Sequence, residues 1–139
     1  MNELNIGIAG LGNVGSHLVS TIVNNKNLIK EKASLTLNIK AVSAKNKFKK
    51  RICNIKPYLW FDNPLDLLSI KNCDVIIELI GNEKGISYEL VKSALLQKIH
   101  VVTGNKAMLS NYGNELFKIA EDNNVLLLFE AAVAGGIPI

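Results

Sequence analysis

The chain has 139 residues, 48% of them hydrophobic and 20% charged, with a formal net charge of +4. That composition fits one globular domain able to bury a core and excludes a disordered polymer. No apolar run approaches the roughly 18 residues of a membrane span, no secretory leader opens the chain, and Cys53 and Cys73 lack metal-ligand spacing, so a cytoplasmic protein with two ordinary thiols and no membrane contact is expected.

In chain order, the aliphatic run at residues 4–9 reads as a strand. It runs into Gly10-Leu11-Gly12-Asn13-Val14-Gly15, after which Val14, Leu18 and Ile22 recur at helical spacing. The Asn- and Lys-rich residues 24–32 read as a loop before a second strand at 35–42. Lys45, Lys47, Lys49, Lys50 and Arg51 form a basic run expected to be a solvated loop; nucleic acid is not among its expected partners, although it can meet one phosphate. Trp60 and Phe61 are expected to pack as an apolar plug beside Pro57 and Pro64. Residues 74–80, 100–103 and 125–129 read as the remaining strands. Between them lie helical patterns on Ile86, Leu90, Val91, Ala94 and Leu95, and on Leu116, Ile119 and Ala120. Several strands are continuously apolar, as strands buried on both faces are. Strand and helix in alternation predict an α/β chain, a doubly wound parallel sheet of about five strands with helices on both faces. His17 and His100 read as structural or exposed, without a metal-ligand partner in the pattern.

The spacing G-x-G-x-x-G between a strand and a helix suits a pyrophosphate. Gly10 makes the tight turn off the strand, Gly12 leaves room for a phosphate against main chain, and Gly15 lets the helix pack close. The helix N-terminus adds unpaired N–H groups and the positive end of a dipole. The alternative is a structural turn with nothing bound. An acid at the end of the second strand, the usual partner of the adenosine ribose hydroxyls, is missing; Ser43 and Lys45 stand there instead. A hydroxyl and a cation can hold a 2′-phosphate, so NADP(H) is favoured over NAD(H), the alternative being a lysine in free solvent. At the end of the third strand, Gly81 permits close approach and Ile80 offers a surface to an apolar ring, while Glu78 reads as satisfying local backbone donors. The fourth strand ends in Thr103-Gly104-Asn105-Lys106. Lys106 at that edge reads either as a group that steadies a substrate oxygen or carries a proton, or as a surface lysine flanking a helix.

Taken together, GLGNVG, AVSAK, WFDNP, DVIIELIG, VVTGNKAML and FEAAVAGGIPI, in this order, resemble the N-terminal cofactor-binding region of homoserine dehydrogenases, over nearly the whole chain from residue 5 to 139. The glycine motif is shared by many Rossmann-type proteins, whereas the last two motifs are specific to that family. The resemblance implies a Rossmann-type domain over residues 1–130, with 131–139 as the start of a hinge into a substrate and dimerisation domain beyond Ile139. It implies an NAD(P)-dependent oxidoreductase of amino-acid biosynthesis. That enzyme interconverts L-homoserine and L-aspartate 4-semialdehyde on the route to threonine, methionine and isoleucine, and is a homo-oligomer when full-length. By the same match, Gly10, Gly12, Asn13, Val14 and Gly15 hold the pyrophosphate and Lys45, often Arg in the family, lies at the adenosine end. Ile80, Gly81, Thr103, Asn105 and Lys106 lie by the nicotinamide, Lys106 assisting proton transfer. The main-chain carbonyls of Glu130, Val133, Gly135 and Ile137 match a loop that holds a monovalent cation, usually sodium.

This sequence departs from the family at Gly104, commonly Ala, and at Asn82, where a second glycine is usual. With the substrate ligands expected beyond Ile139, the 139 residues alone are expected to be inactive. Two other readings stay open: another amino-acid dehydrogenase on the same plan, or a stand-alone dinucleotide-binding module without catalysis.

Overall fold

The computed structural model describes residues 2–81 and 85–130. Strand β1 (Asn2–Ala9) passes through helix α1 (Asn13–Asn24) and helix α2 (Lys26–Ala33) to strand β2 (Leu35–Ser43), its parallel neighbour. Strand β3 (Leu59–Phe61) pairs outside β2, and a 3-10 helix (Pro64–Ser69) carries the chain back across to β4 (Val75–Glu78) on the other side of β1. Helix α3 (Ile86–Leu96), β5 (His100–Thr103), α4 (Lys106–Asp122) and β6 (Leu127–Leu128) then build outward. The described strands run parallel in the order β3-β2-β1-β4-β5-β6. Strand order therefore reverses between β1 and β4, and a crevice opens there at the carboxyl edge.

The pleat divides the core. In β1, Ile6 and Ile8 face α1, packing with Val19, Leu11 and Val42. Ala9 belongs to the other layer, where Ile76 and Val101 meet Leu90, Leu95, Met108 and Leu116 of α3 and α4. Residues 6–9 of β1 are all buried, as expected of a central strand covered on both faces.

The sheet has six described strands, one more than expected, because Trp60 and Phe61 belong to β3 rather than to a loose plug. Of residues 24–32, expected as loop, 26–32 belong to helix α2; it buries none of its residues and stops at Ser34, whose φ is 52°. The α1 face is also displaced. Its buried residues are Gly15, Ser16, Val19 and Ile22, whereas Val14 is 67% exposed. The close approach of helix to strand puts small residues inward, and an apolar moment does not register those.

The histidines serve local structure: His17 Nδ1 lies 2.8 Å from the Asn13 carbonyl, and His100 Nδ1 accepts from the Leu126 N–H at 3.0 Å. Cys53 and Cys73 are free and half-buried, and burial pushes the Cys73 thiol up. Between α3 and α4, Lys92 Nζ meets Glu115 Oε1 at 2.7 Å, and the Tyr88 hydroxyl donates to Glu115 at 2.9 Å. The Lys92 ammonium and then the Tyr88 hydroxyl hold the Glu115 carboxyl below the usual range, and Glu115 raises Lys92. A depressed carboxylate contributes stability above its unfolded pKa and loses it as pH falls through its folded one; a raised lysine contributes below its unfolded pKa and loses it as pH rises through its folded one. Glu115→Gln is thus expected to melt slightly below wild type at neutral pH and to converge with it in acid, as followed by circular dichroism. A gap that persists below the carboxylate range would refute the pairing. The effect is small because the pair is exposed.

Candidate functional site

The crevice has a volume of about 360 Å³ and is lined on one side by Gly10 and Gly12 of the β1–α1 turn and by Leu79 and Ile80 after β4. Its other wall comes from the ends of β2 and β3: Ser43, Ala44, Lys45, Asp62 and Pro64. The three glycines differ in what surrounds them. Gly10 has φ +98°, donates its N–H to the Ser43 carbonyl at 2.9 Å, and would place a Cβ 2.5 Å from the Leu79 carbonyl oxygen. A Cβ on Gly15 would lie 1.9 Å from the Gly10 carbonyl oxygen. Gly12, with ordinary φ −73°, would meet nothing within 4 Å. Gly10 and Gly15 are therefore demanded by the protein's own backbone, while the bareness of Gly12 faces open space.

Gly12 is also the N-cap of α1, which carries no side-chain cap and no acid in its first turn. Its first N–H groups and the positive dipole end are left for an anion. At the neighbouring strand end, Ser43 is 1% exposed, and its hydroxyl has no hydrogen-bond partner among the described residues. A buried hydroxyl left unpaired costs about 1–3 kcal/mol, so this one is suited to a ligand oxygen entering the crevice. Lys45 beside it is exposed.

Of the residues singled out in the sequence, Gly10, Gly12, Ser43, Lys45 and Ile80 come together here. Asn13 and Val14 line a separate shallow hollow on α1, and Gly15 lies beneath the turn. Gly81, with φ +88° and open space at its Cα, continues the turn after Ile80. Thr103 and Asn105 are buried and engaged internally: the Thr103 hydroxyl donates to Glu78 Oε2 at 2.6 Å and accepts from the Asn105 N–H, and Asn105 Oδ1 caps α4 at the Met108 N–H. Lys106 is the exposed first residue of α4, at the β5 end of the same edge. Glu130 is exposed; Asn82 and the Val133, Gly135 and Ile137 of the expected cation loop lie outside the described residues. Asp62 is the polar lining residue not singled out from the sequence. Its signal was WFDNP, in which Asn63 caps and Pro64 opens the 3-10 helix.

A parallel sheet of six described strands with a glycine turn and a helix N-terminus at its switch point defines a Rossmann-type nucleotide-binding domain. The family model described as homoserine dehydrogenase, NAD binding domain, matches residues 10–130. The chain belongs to the homoserine dehydrogenase family. It is 40% identical over its whole length to a homoserine dehydrogenase of Neisseria gonorrhoeae and 37% identical to one of Bacillus subtilis, covering 32% of each. The chain thus spans about a third of the length of these curated relatives. Among solved structures, a homoserine dehydrogenase of S. aureus at pH 7.5 superposes with a TM-score of 0.88 at 36% identity, over 96% of this chain and 34% of that one. A hyperthermophilic archaeal homoserine dehydrogenase in complex with NADPH gives a TM-score of 0.76 at 25% identity, over 94% of this chain and 44% of that one.

Proposed function

We propose that the crevice binds NADP(H), and that the chain is the cofactor-binding part of an enzyme interconverting L-homoserine and L-aspartate 4-semialdehyde. The observation that carries the cofactor reading is the buried Ser43 hydroxyl, unpartnered among the described residues, on a residue that lines the same crevice as Lys45 and the open position at Gly12. An NADPH complex in the archaeal relative supports the same reading. Gly12 and the first N–H groups of α1 would hold the pyrophosphate, Ser43 and Lys45 the adenosine 2′-phosphate, and Ile80 and Gly81 would border the nicotinamide. When bound, the nicotinamide exchanges hydride with the substrate's carbinol carbon. Lys106, at the start of α4, would hold or move the hydroxyl proton with its Nζ.

Titration by nicotinamide fluorescence is expected to show saturable NADPH binding to the 139-residue chain, and its absence would refute the cofactor reading. Turnover is tested separately. Joining these residues to the remaining two thirds or so of the Neisseria gonorrhoeae relative is expected to yield NADPH formation that depends on homoserine, while the 139 residues alone give none. A folded chimera that binds NADP+ and ignores homoserine would overturn the substrate assignment.

Cofactor choice gives a further expected result. Lys45→Glu should weaken NADPH by about 1.5–3 kcal/mol, the range of a charge-assisted hydrogen bond, and leave NADH nearly unchanged. The difference should narrow with added salt, because Lys45 is exposed and screened. Equal losses for both cofactors would remove Lys45 from the phosphate.

A further inference from the structure

We infer that Asp62 reads the adenine base, accepting a hydrogen bond from its 6-amino group; this rests on the dinucleotide reading above. The sheet fixes the direction along which the crevice is occupied. From the glycine turn after β1, the carboxyl edge passes to β2, which supplies Ser43 and Lys45, and then to β3, the outer strand. Ser43 pairs in register with Phe61, so Asp62 follows at the level of Ala44, one strand further from the pyrophosphate turn. In a dinucleotide laid along that edge, the group beyond the ribose is the base.

Asp62 is held in place for this. Its Oδ1 accepts from the Trp60 indole N–H at 2.8 Å, and the Trp60 ring carries the Arg51 guanidinium at 5.3 Å from its centroid. Arg51 is fixed in turn by the Asn46 carbonyl at 2.6 Å, by the Lys49 carbonyl at 3.0 Å and, through its Nε, by the Leu11 carbonyl of the glycine turn at 3.2 Å. The carboxylate thus belongs to a frame tied to both walls of the crevice. Its second oxygen has no hydrogen-bond donor among the described residues. A carboxylate accepts and does not donate, so its complement on a base is an amino group. Pro64, next along the lip, offers an apolar surface to the ring. In adenine the 6-position is an amino donor; in hypoxanthine it is an oxo acceptor, which an Asp62 carboxylate repels.

The test compares NADPH with reduced nicotinamide hypoxanthine dinucleotide phosphate, both titrated by fluorescence into the 139-residue chain. Wild type is expected to bind the adenine form about tenfold more tightly, on the scale of one charge-assisted hydrogen bond at an exposed site. Asp62→Asn, whose amide can accept from Trp60 and donate to a 6-oxo group, should bring that ratio to about one or invert it, with the circular dichroism unchanged. Asp62→Ala, the second variant, should lower the adenine form to the level of the hypoxanthine form. No discrimination by wild type, an undiminished ratio in Asp62→Asn, or equal losses for both ligands would overturn the inference. A changed NADPH to NADH ratio with the base ratio intact would also overturn it, assigning Asp62 to the ribose. Failure of wild type to bind either dinucleotide refutes the cofactor reading itself, a result distinct from all of these.

Discussion

Gly12→Val is expected to abolish NADPH binding while leaving the fold standing. The backbone at Gly12 has an ordinary φ of −73°, and a Cβ there would meet none of the described residues within 4 Å beyond its chain neighbours, so the folded chain has no objection to a side chain. The same open space lies at the uncapped start of α1, where an anion would touch main chain, and a branched side chain fills it. Losing close contact with the first N–H groups removes several hydrogen bonds to a charged group, each about 1.5–3 kcal/mol, so affinity should fall by at least about a hundredfold. Gly15→Ala provides the contrast. Its Cβ would sit 1.9 Å from the Gly10 carbonyl oxygen, which forces α1 away from β1 and is expected to cost about 3 kcal/mol or more of stability. Urea unfolding with NADPH titration separates the two variants. A Gly12→Val chain that is folded and binds normally would show that the ligand does not lie on this turn.

The glycine turn could be read from sequence because its constraints are local: a strand, a positive φ, a near contact three residues into a helix. β5 was also legible to the residue, since His100–Thr103 is an apolar run closed by Gly104. What escaped were elements whose signal is not periodic apolar burial. β3 has three residues, too few to establish a period of two, and it becomes a strand by pairing with Ala41, Val42 and Ser43 of β2. α2 buries nothing, so its only cue was composition. The inward face of α1 was misjudged because Gly15 and Ser16 pack by being small. The site inherits the same limits. Ser43 and Lys45 stand at the end of a strand whose pattern is visible, which is why they could be singled out, while Asp62 follows a strand that has no such pattern.

Glu78→Ala is expected to destabilise the chain by about 3–5 kcal/mol, on the scale of breaking a buried polar network. Glu78 is fully buried at the end of β4. Its Oε1 accepts from the Ile80 N–H at 2.8 Å, the Gly81 N–H at 3.4 Å and the Ser87 hydroxyl at 3.2 Å, and its Oε2 from the Thr103 hydroxyl at 2.6 Å. One side chain thus ties the β4 turn, the first turn of α3 and the end of β5 through hydrogen bonds to its two oxygens. Alanine removes the acceptor and leaves these donors facing a cavity, two of them hydroxyls in the interior. Glu78→Gln is milder. Its amide oxygen can keep the contacts of Oε1, but its NH₂ group meets a Thr103 oxygen that already accepts from the Asn105 N–H, and the Thr103 proton loses its acceptor. That variant should cost about 1–3 kcal/mol. Its NADPH affinity should stay close to that of wild type, because the amide oxygen still holds the N–H of Ile80, which lines the crevice. Urea unfolding gives the first quantity and fluorescence titration of the folded Gln variant the second. An Ala variant as stable as wild type would mean that Glu78 does not organise this edge of the sheet.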